Sequence, residues 1–458
     1  MKTFDAIIIG AGQAGPSLAA RLSAAGQTVG FVERKLFGGT CVNTGCTPTK
    51  AMVASAYAAY VARRSGKYGV SIDTAIEVDI KAVNARRDSI VSKSRNGVES
   101  SLRDNPKVTV FKGTASFASA TTMRVGEEVL EAKQIFLNVG ARAALPNLPG
   151  VHTVPFLTNT TLLALDTLPK HLVVVGGSYI GIEFGQIYRR FGCEVTIVEK
   201  GPRLAGREDE DVSACVQSIL EAEGIHVRTS AECINLKPGD GGVVVGTNCT
   251  TDEPDIVGSH VLLAVGRVPN TADLGLEHAG VQTDERGYIV VDDQLRTNVD
   301  GIYALGDCNG RGAFTHTAYN DYEIVAANLL DGDTRRVSDR ILCYAMYMDP
   351  PLARIGLTEA EVRASGKPAL MATRPMTRVN RALEKGESLG FMKVLVDAES
   401  KRILGASLLG VGCDEAIHCL LDVMYAKAPY TTISRAVHIH PTVSELIPTL
   451  LQSLKPLE

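Results

Sequence analysis

The chain has 458 residues, of which 45% are apolar, 44 are glycine and none is tryptophan. At roughly 150 residues per domain this length predicts about three domains, and the glycine-rich, apolar composition is typical of an α/β enzyme. The formal net charge of −4, from 47 basic and 51 acidic residues, indicates neither a nucleic-acid partner nor an anionic membrane surface.

The N-terminal residues predict a cytoplasmic protein. The apolar run Ala6–Ile9 is too short for the core of a signal peptide, and no apolar run approaches the length of a transmembrane helix. In a reducing compartment we expect the ten cysteines to be buried thiols and one catalytic pair rather than a disulfide framework.

Residues 4–34 are predicted to form a dinucleotide-binding unit. Its elements are a strand, a helix and a second strand: Phe4–Ile9, Pro16–Ala25 and Thr28–Val32. In the intervening G-x-G-x-x-G, Gly10 makes the tight turn, Gly12 lets a pyrophosphate approach the backbone and Gly15 lets helix and strand pack. Glu33 follows the second strand, roughly 20 residues after the first glycine, where a ribose-binding acid is expected.

The next motif, Gly38–Lys50, holds two cysteines among glycines, Cys41 and Cys46. Positions five apart in a regular helix are about 8–9 Å apart at Cα, whereas a disulfide needs Cα atoms within about 7 Å. If the two cysteines pair, the backbone between them must be distorted. Gly45 and Pro48 are residue types that permit such a distortion.

We expect a helix over Lys50–Arg64, capped by Thr47 and with Pro48 as its first residue. Both sulfurs would then lie near a helix N-terminus, which favours the thiolate. A structural disulfide in so short a loop would be strained and reducible. A zinc site would need a second pair of ligands at ligand spacing, which the sequence lacks. The pattern therefore indicates a redox-active disulfide, and we predict no metal site.

The pattern of the first unit repeats after a boundary at Pro149-Gly150. Two predicted strands flank a helix that ends near Phe191: His171–Val175 and Glu194–Val198. Gly176 and Gly181 hold the places of the outer glycines, Glu199 holds that of the acid, and Ser178 replaces the middle glycine. Serine is small, so we expect binding to survive with a slightly longer approach to the phosphates. Two such units predict two dinucleotides, or one dinucleotide and a duplicated fold.

The C-terminal quarter differs in character. The buried strand Gly301–Asp307 is expected to return to the first sheet. Beyond residue 341, Gly390–Val396 and Arg402–Leu409 alternate like antiparallel strands around a polar turn, and two or three helices follow. A sheet with helices on one side, after two doubly wound units, predicts an α+β interface domain.

The last chemical element surrounds His440. This histidine precedes a proline, which favours an extended backbone, and Glu445 is predicted to lie one turn into the next helix, where it could orient the imidazole. A lone histidine is usually structural, as we expect of His438. Beside a redox dithiol, a histidine held by a carboxylate is better interpreted as the acid–base partner of that dithiol.

Together these motifs resemble the class I flavin-dependent disulfide reductases, which include glutathione reductase, dihydrolipoamide dehydrogenase and mercuric reductase. The resemblance covers essentially the whole chain, because all motifs fall in the family's order: Gly38–Lys50, both glycine fingerprints, Gly306-Asp307 and His440–Glu445. It implies an α/β fold with two Rossmann-type domains and a C-terminal α+β dimerisation domain. The implied bounds are 1–150 and 273–340 for the FAD domain, 151–272 for the NAD(P) domain and 341–458 for dimerisation.

The resemblance also implies roles for the site residues. Cys46 would lie against the flavin as the charge-transfer thiolate, and Cys41 would be the outer, interchange thiol. Lys50 would sit by the flavin N5 and pair with Glu183. His440, with Glu445, would come from the partner subunit, so that a homodimer is required for activity.

The remaining residues would bind the cofactors. Tyr179 would cover the nicotinamide pocket until the coenzyme displaces it, and Asp307 would bind the ribityl chain. The FAD set is Gly10, Gly12, Gly15, Glu33, Gly39, Thr40, Lys50 and Asp307, and the NAD(P) set is Gly176, Ser178, Tyr179, Gly181, Glu199 and Gly266. Glu199 would repel a 2′-phosphate, so we expect NADH to be preferred over NADPH, although Lys200 and Arg203 are close enough to offset this.

Within the family, Arg381–Leu383 and Ser178 resemble the mercuric-reductase-like branch. We expect no heavy-metal-binding domain before the first unit, and no cysteine follows Cys419, so the thiolates that would hand over mercury are missing. The pair of His440 and Glu445 resembles the members that handle dithiols. The combination is similar to flavoproteins that protect bacteria against reactive chlorine.

We therefore expect an NAD(P)H-driven reductase of a small disulfide, a metal ion or an oxidised electrophile. One alternative is dihydrolipoamide dehydrogenase, which runs in the opposite direction. Another is a flavin-bound redox sensor without turnover, against which the intact set of Lys50, Glu183 and His440 argues. The acceptor pocket carries no motif that names its ligand.

Overall fold

The computed structural model describes residues 1–247 and 255–458. Its strands form three main sheets, of seven, four and six strands, together with one three-stranded and one two-stranded sheet. No helix in the described ranges is long and apolar enough to span a bilayer.

The first 150 residues build most of the seven-stranded sheet. Their strands are β1 Lys2–Ile9, β2 Val29–Glu33, β3 Val108–Lys112, β4 Ala115–Ser119, β5 Thr122–Val125, β6 Glu128–Leu137 and β7 Ala141–Ala143. Their helices are α1 Ala14–Ala24, α2 Gly39–Asn43, α3 Cys46–Arg63 and α4 Ile80–Arg103. The strand order is β3-β2-β1-β6-β5-β4, and β1 runs parallel to both neighbours.

Strand β1 is buried on both faces because it lies in the middle of this sheet. Ile7 and Ile9 enter one apolar core, while Ala6 and Ile8 enter the core on the opposite face. Alternate residues of a strand point to opposite faces, so a continuous apolar run fits a sheet that is covered on both sides.

The next stretch builds a second, smaller parallel sheet. Its elements are α5 Asn159–Leu162, β8 His171–Val175, α6 Tyr179–Phe191, β9 Glu194–Val198, α7 Glu210–Ala222, β10 His226–Arg228, β11 Asn235–Gly239, β12 Gly242–Gly246, β13 Ile256–Gly258, β14 His260–Leu263, β15 Arg267–Pro269 and α8 Leu276–Ala279. The parallel order is β10-β9-β8-β14, while β11, β12 and β13 form a separate antiparallel sheet.

The chain then returns to the first sheet, as predicted. Strand β16, Ile302–Ala304, pairs in parallel with β6, so the first unit is completed by residues far along the chain. Helix α9, Thr315–Leu330, follows and packs against α1.

The C-terminal region forms the predicted antiparallel sheet. Its elements are β17 Cys343–Met346, β18 Leu352–Gly356, α10 Glu359–Ala364, β19 Ala369–Pro375, α11 Asn380–Glu384, β20 Phe391–Asp397, β21 Ile403–Leu409, α12 Cys413–Ala416, α13 His418–Tyr425, α14 Thr431–Ser434, α15 Leu446–Gln452 and β22 Lys455–Pro456. Strands β20 and β21 pair across the predicted polar turn.

Several predicted boundaries are wrong by a few residues. Helix α1 begins at Ala14 instead of Pro16, and Glu33 is the last residue of β2 instead of following it. Helix α3 begins at Cys46, with Gly45 before it and no side-chain cap. Proline is tolerated throughout the first turn of a helix, where N–H groups lack intrahelical partners, so Pro48 does not mark the start of α3.

A buried ionic cluster fixes the second sheet against the C-terminal sheet. The side chains of Lys393 and Arg354 are both only 1% exposed. Lys393 Nζ lies 2.9 Å from Asp209, 2.7 Å from Asp211 and 3.1 Å from Glu359. Arg354 also contacts Asp209, at 3.3 Å. Buried cations are costly unless paired, so this cluster holds the two regions in one relative orientation.

Candidate active site

The two cysteines of the glycine-rich motif lie on different helices. Cys41 belongs to α2 and Cys46 is the first residue of α3. Gly45 between them has φ −131° and ψ −118°, which is far from helical. A Cβ at Gly45 would lie 2.9 Å from the carbonyl oxygen of Thr40, so a larger residue would disturb this break. The predicted backbone distortion is therefore an interruption between two helices.

The structure holds both cysteines as thiols, linked by a hydrogen bond. That bond from Cys41 lowers the pKa of Cys46 to about 6, and burial opposes the shift. The Thr315 hydroxyl, 3.2 Å from Cys46 Sγ, and the charge of Lys50 lower it further. The same hydrogen bond raises the pKa of Cys41. Near neutral pH, Cys46 is therefore the thiolate and Cys41 the thiol that donates to it.

Two helix N-termini converge on the Cys46 sulfur. Cys46 opens the 18-residue helix α3, and Thr315 opens the 16-residue helix α9. The N-terminus of a helix carries a partial positive charge and free N–H groups, which stabilise a nearby thiolate. Of these two helix starts, only the one near Cys46 was predicted from the sequence.

Lys50 lies one turn after Cys46 and is fixed by its partners. Its Nζ is 2.8 Å from Glu183, whose side chain is only 4% exposed. The Tyr347 backbone N–H also donates to Glu183, at 2.8 Å. The ammonium lies 4.7 Å from the centre of the Tyr347 ring, within cation–π range. The structure thus brings together the predicted pair of Lys50 and Glu183.

Helix α6 holds the segment that carries Tyr347. The Gln186 side chain donates to the Asp349 carbonyl at 2.7 Å and accepts from the Asp349 N–H at 2.7 Å. Arg190 Nη1 lies 2.7 Å from the Asp349 carboxylate. Glu183, Gln186 and Arg190 lie on one face of the helix, because residues three and four apart are neighbours. This face positions the aromatic ring against Lys50.

The first glycine fingerprint forms a cradle in which side chains would clash. A Cβ at Gly10 would lie 2.4 Å from the Asn138 carbonyl oxygen, and one at Gly15 would lie 2.4 Å from that of Gly10. The Glu33 carboxylate accepts the backbone N–H groups of Ala11 and Lys35, both at 2.7 Å. These close approaches fit a pyrophosphate-binding turn with an acid at the end of the second strand.

The second fingerprint repeats this geometry. A Cβ at Gly176 would lie 2.4 Å from the Ala264 carbonyl oxygen. Glu199 accepts backbone N–H groups from Gly177 at 2.6 Å and Gly201 at 2.7 Å, at the same sequence offsets as for Glu33. Ser178 stands immediately before α6 and forms no side-chain cap, so its hydroxyl is not used by its own helix.

A cavity of about 750 Å³ joins the first fingerprint to the dithiol. Its wall includes residues predicted to be catalytic or to bind a cofactor: Gly10, Gly12, Glu33, Gly39, Thr40, Cys41, Cys46, Lys50, Tyr179, Glu183 and Asp307. Asp307 lies 3.4 Å from Arg267, and burial raises its pKa. Gly15, Gly176, Ser178, Gly181, Glu199 and Gly266 do not line this cavity. The glycine cradle, the buried carboxylate of Glu33 and the cavity together fit an extended dinucleotide.

His440 and Glu445 pair away from this cavity. His440 Nδ1 lies 2.9 Å from a Glu445 carboxylate oxygen, and the peptide bond between His440 and Pro441 is cis. Glu445 immediately precedes α15, so the prediction that it lies one turn inside that helix is wrong. The His440 side chain is 68% exposed, and neighbouring Val437 and Ile439 are 101% and 81% exposed. Neither member of the pair lines the cavity of its own chain.

Sequence reasoning missed three residues at the dithiol. Thr315 contacts Cys46, Tyr347 contacts Lys50, and the Phe314 ring packs against Tyr179 with centroids 5.8 Å apart. The start of a helix soon after Gly306-Asp307 was the one local signal that could have indicated Thr315. No local pattern pointed to Tyr347, which reaches the site through long-range packing.

Comparison with known families defines the class. Residues 4–321 match the family described as pyridine nucleotide-disulphide oxidoreductase, and residues 343–451 match its dimerisation domain. The chain therefore belongs to the pyridine nucleotide-disulphide oxidoreductases. This membership confirms the predicted family and fold class, and with them the expectation of an FAD- and NAD(P)H-dependent oxidoreductase.

Individual relatives match over nearly the whole chain. The "Probable pyridine nucleotide-disulfide oxidoreductase RclA" of Escherichia coli (strain K12) is 35% identical, covering 99% of this chain and 100% of that protein. A mercuric reductase of Streptomyces lividans is 31% identical over 98% of this chain and 96% of its own length. A dihydrolipoyl dehydrogenase of Bacillus subtilis (strain 168) is 33% identical over 96% and 94%.

Solved structures give the same picture. The structure titled "Cu(II) complex of HOCl-induced flavoprotein disulfide reductase RclA from Escherichia coli" superposes with a TM-score of 0.90 at 34% identity, covering 99% of both chains.

The contact between Thr315 and Cys46 can be tested directly. Thr315→Ala removes a hydroxyl that stabilises the thiolate, so the pKa of Cys46 should rise from about 6. The pH profile for alkylation of Cys46 in the reduced protein, located by mass spectrometry, should move to higher pH by about one unit. Thr315→Ser keeps the hydroxyl and should leave the profile in place. An unchanged profile in Thr315→Ala would show that the contact does not stabilise the thiolate.

Proposed function

We propose that the chain is an NAD(P)H-dependent FAD enzyme that reduces a small acceptor through a redox disulfide between Cys41 and Cys46. With a disulfide acceptor, one NAD(P)H, one proton and one acceptor give NAD(P)⁺ and two thiols. One observation carries the proposal. The Cys46 thiolate, stabilised by Thr315 and Lys50, lies in the same cavity as the first glycine fingerprint.

The cofactor roles follow from the two fingerprints. Gly10, Gly12, Gly15 and Glu33 would hold FAD together with Gly39, Thr40, Lys50 and Asp307, and the second fingerprint would hold the nicotinamide coenzyme. When bound, FAD supplies two-electron transfer between nicotinamide and disulfide, which side chains alone do not provide. We assign the FAD domain to residues 1–150 and 273–340. The NAD(P) domain would comprise residues 151–272 and the dimerisation domain residues 341–458.

The side chains supply the acceptor half-reaction. Cys41 gives its proton to His440 of the partner subunit and attacks the acceptor disulfide, and the first leaving thiolate takes that proton. The Cys46 thiolate then attacks the Cys41 sulfur. This forms the Cys41–Cys46 disulfide and releases the second thiolate, which takes a proton from solvent. Glu445 accepts from the His440 ring and holds its orientation.

The position of His440 supports an arrangement across a homodimer. The imidazole is exposed, flanked by the exposed apolar Val437 and Ile439, and outside the cavity of its own chain. A contiguous group of exposed apolar side chains is typical of a contact surface. The match to a dimerisation domain over residues 343–451 agrees with this.

The acceptor class remains a disulfide, a metal ion or an oxidised electrophile. The RclA structure is a Cu(II) complex of a reductase described as HOCl-induced, which supports a metal ion or an oxidised electrophile as the acceptor. Dihydrolipoamide dehydrogenase activity is the second candidate, supported by the pair of His440 and Glu445 and by the Bacillus relative. Coenzyme oxidation with Cu(II), a disulfide or lipoamide as acceptor, together with NAD⁺ reduction by dihydrolipoamide, separates these functions.

The coenzyme preference follows from Glu199. Its carboxylate lies at the end of β9, so its charge should repel a 2′-phosphate, and we expect a higher kcat/KM for NADH than for NADPH. Glu199→Gln removes the charge and should narrow the difference. Asp240→Asn, a carboxylate in the antiparallel part of the same region, is the control and should leave the preference unchanged. A higher kcat/KM for NADPH in the unmodified enzyme would contradict this assignment.

His440→Ala separates the two half-reactions. Hydride transfer needs neither thiol exchange nor its proton, so reduction of the flavin by NADH should remain nearly as fast as before. Turnover with a disulfide should fall about a hundred- to ten-thousand-fold, the usual contribution of a positioned acid–base group. Stopped-flow absorbance measures the first rate and steady-state NADH oxidation the second. Equal loss of both rates would contradict the assigned role.

Mixed dimers test which subunit His440 serves. A dimer of one Cys41→Ser subunit and one His440→Ala subunit has one composite site with both groups intact if His440 acts across the interface. Such dimers should recover up to half of the activity, while both single-variant homodimers stay inactive. No recovery would show that His440 serves its own subunit.

A further inference from the structure

A second pocket is lined by Glu445, next to the pair that this residue forms with His440, and its other residues have no part in the chemistry described above. Its volume is about 320 Å³, and it lies where the end of β19 meets the segment between α14 and α15. Arg374, Arg378 and Asn380 line it from β19 and the residues that follow this strand. His438 and Glu445 line it from the segment between α14 and α15.

The pocket has more positive than negative formal charge. Arg374 uses Nε and Nη2 to donate to the Arg378 carbonyl at 3.2 and 2.8 Å, which leaves Nη1 available. Within residues 1–247 and 255–458, no hydrogen bond or ion pair engages the Arg378 guanidinium. Two guanidinium groups therefore face one carboxylate, that of Glu445, which is already bonded to His440.

His438 supplies an independent sign of a missing ligand. Its Nδ1 atom is buried and has no hydrogen-bond partner among the described residues. Buried polar atoms in native proteins nearly always have a partner, so an orphaned imidazole nitrogen in a polar pocket points to a group that binds there. Together with two guanidinium groups and the Asn380 amide, it forms a set of donors suited to a carboxylate or a phosphate.

We propose that this pocket binds an anionic group, a carboxylate or a phosphate, carried by the electron acceptor. The proposal rests on the proposed function, because Glu445 forms the wall of the pocket and holds the imidazole that would serve the dithiol of the partner subunit. An acceptor anchored at Arg374 and Arg378 would present its reactive bond beside His440. The chain would then select anionic acceptors over neutral acceptors of the same size.

The test compares aliphatic disulfides of similar length and different charge on the holoenzyme. The probes are 3,3′-dithiodipropionate, which carries two carboxylates, and the neutral bis(2-hydroxyethyl) disulfide. The double variant Arg374→Gln/Arg378→Gln should lose about ten-fold or more in kcat/KM for the dianion, through KM, and stay within about two-fold for the neutral disulfide. Added salt should reduce the preference of the unmodified enzyme for the dianion.

The matched control is Arg381→Gln. Arg381 lies on the neighbouring helix α11, pairs with Glu384 at 3.2 Å and does not line the pocket. It should leave both disulfides unaffected. Equal losses for the dianionic and neutral disulfides in the double variant would overturn the proposal, since they would mean that the arginines serve folding or the contact between subunits.

Binding without turnover separates failure of the pocket from failure of the proposed function. Suberate is a dicarboxylate that resembles dithiodipropionate and lacks the sulfur–sulfur bond. Calorimetric titration should show suberate binding to the oxidised holoenzyme and its loss in the double variant. If suberate binding depends on the arginines but no disulfide is reduced, the anion pocket is supported and the proposed disulfide reduction is contradicted. If disulfides are reduced without charge preference and suberate does not bind, the anion pocket is contradicted and the proposed function is supported.

Discussion

The Cys46 sulfur must stay ionised in a partly enclosed cleft, and much of the surrounding structure stabilises its charge. Burial opposes the charged form of Cys46. The hydrogen bond from Cys41 is the largest opposing contribution, followed by the Thr315 hydroxyl and the charge of Lys50. The N-termini of α3 and α9 lie at the same sulfur. Because these groups come from two stretches of chain that are far apart in sequence, the thiolate depends on the assembled fold.

The same requirement explains the polar contacts between regions. Lys50 is effective only while it stays near the sulfur, and Glu183 and the Tyr347 ring restrict its motion. Helix α6 holds the Tyr347 segment through Gln186, and the buried Lys393 cluster fixes the second sheet against the C-terminal sheet. Buried polar clusters of this kind favour one arrangement over others, because any displaced member would be left unpaired. The orientation of the second sheet against the C-terminal sheet is thus linked to the position of the Lys50 ammonium group.

Much of the fold was predictable because its signals are local. The strand, glycine turn, helix and acid of each fingerprint are contiguous in sequence, and Glu33 and Glu199 make equivalent backbone contacts. The start of α3 was predicted wrongly, because the Thr47-Pro48 signal for a helix start competed with the real break at Gly45. Thr315 lies 269 residues from Cys46 in sequence, so no local pattern could pair the two. The predicted role of His440 at the dithiol concerns a second subunit, since its imidazole lies outside the cavity of its own chain, and it stays a prediction.

The central claim is that Cys46 is a thiolate beside the flavin. The most direct measurement is the absorbance spectrum of the purified FAD-loaded Cys41→Ser variant, recorded without any reductant. With its disulfide partner removed, Cys46 should be free, and a long-wavelength charge-transfer band should be present that disappears on acidification through the pKa of Cys46, which is about 6 in the unmodified chain. The matched Cys46→Ser variant should lack the band. A spectrum without the band in both variants would contradict the account, since the dithiol would then not lie next to the flavin.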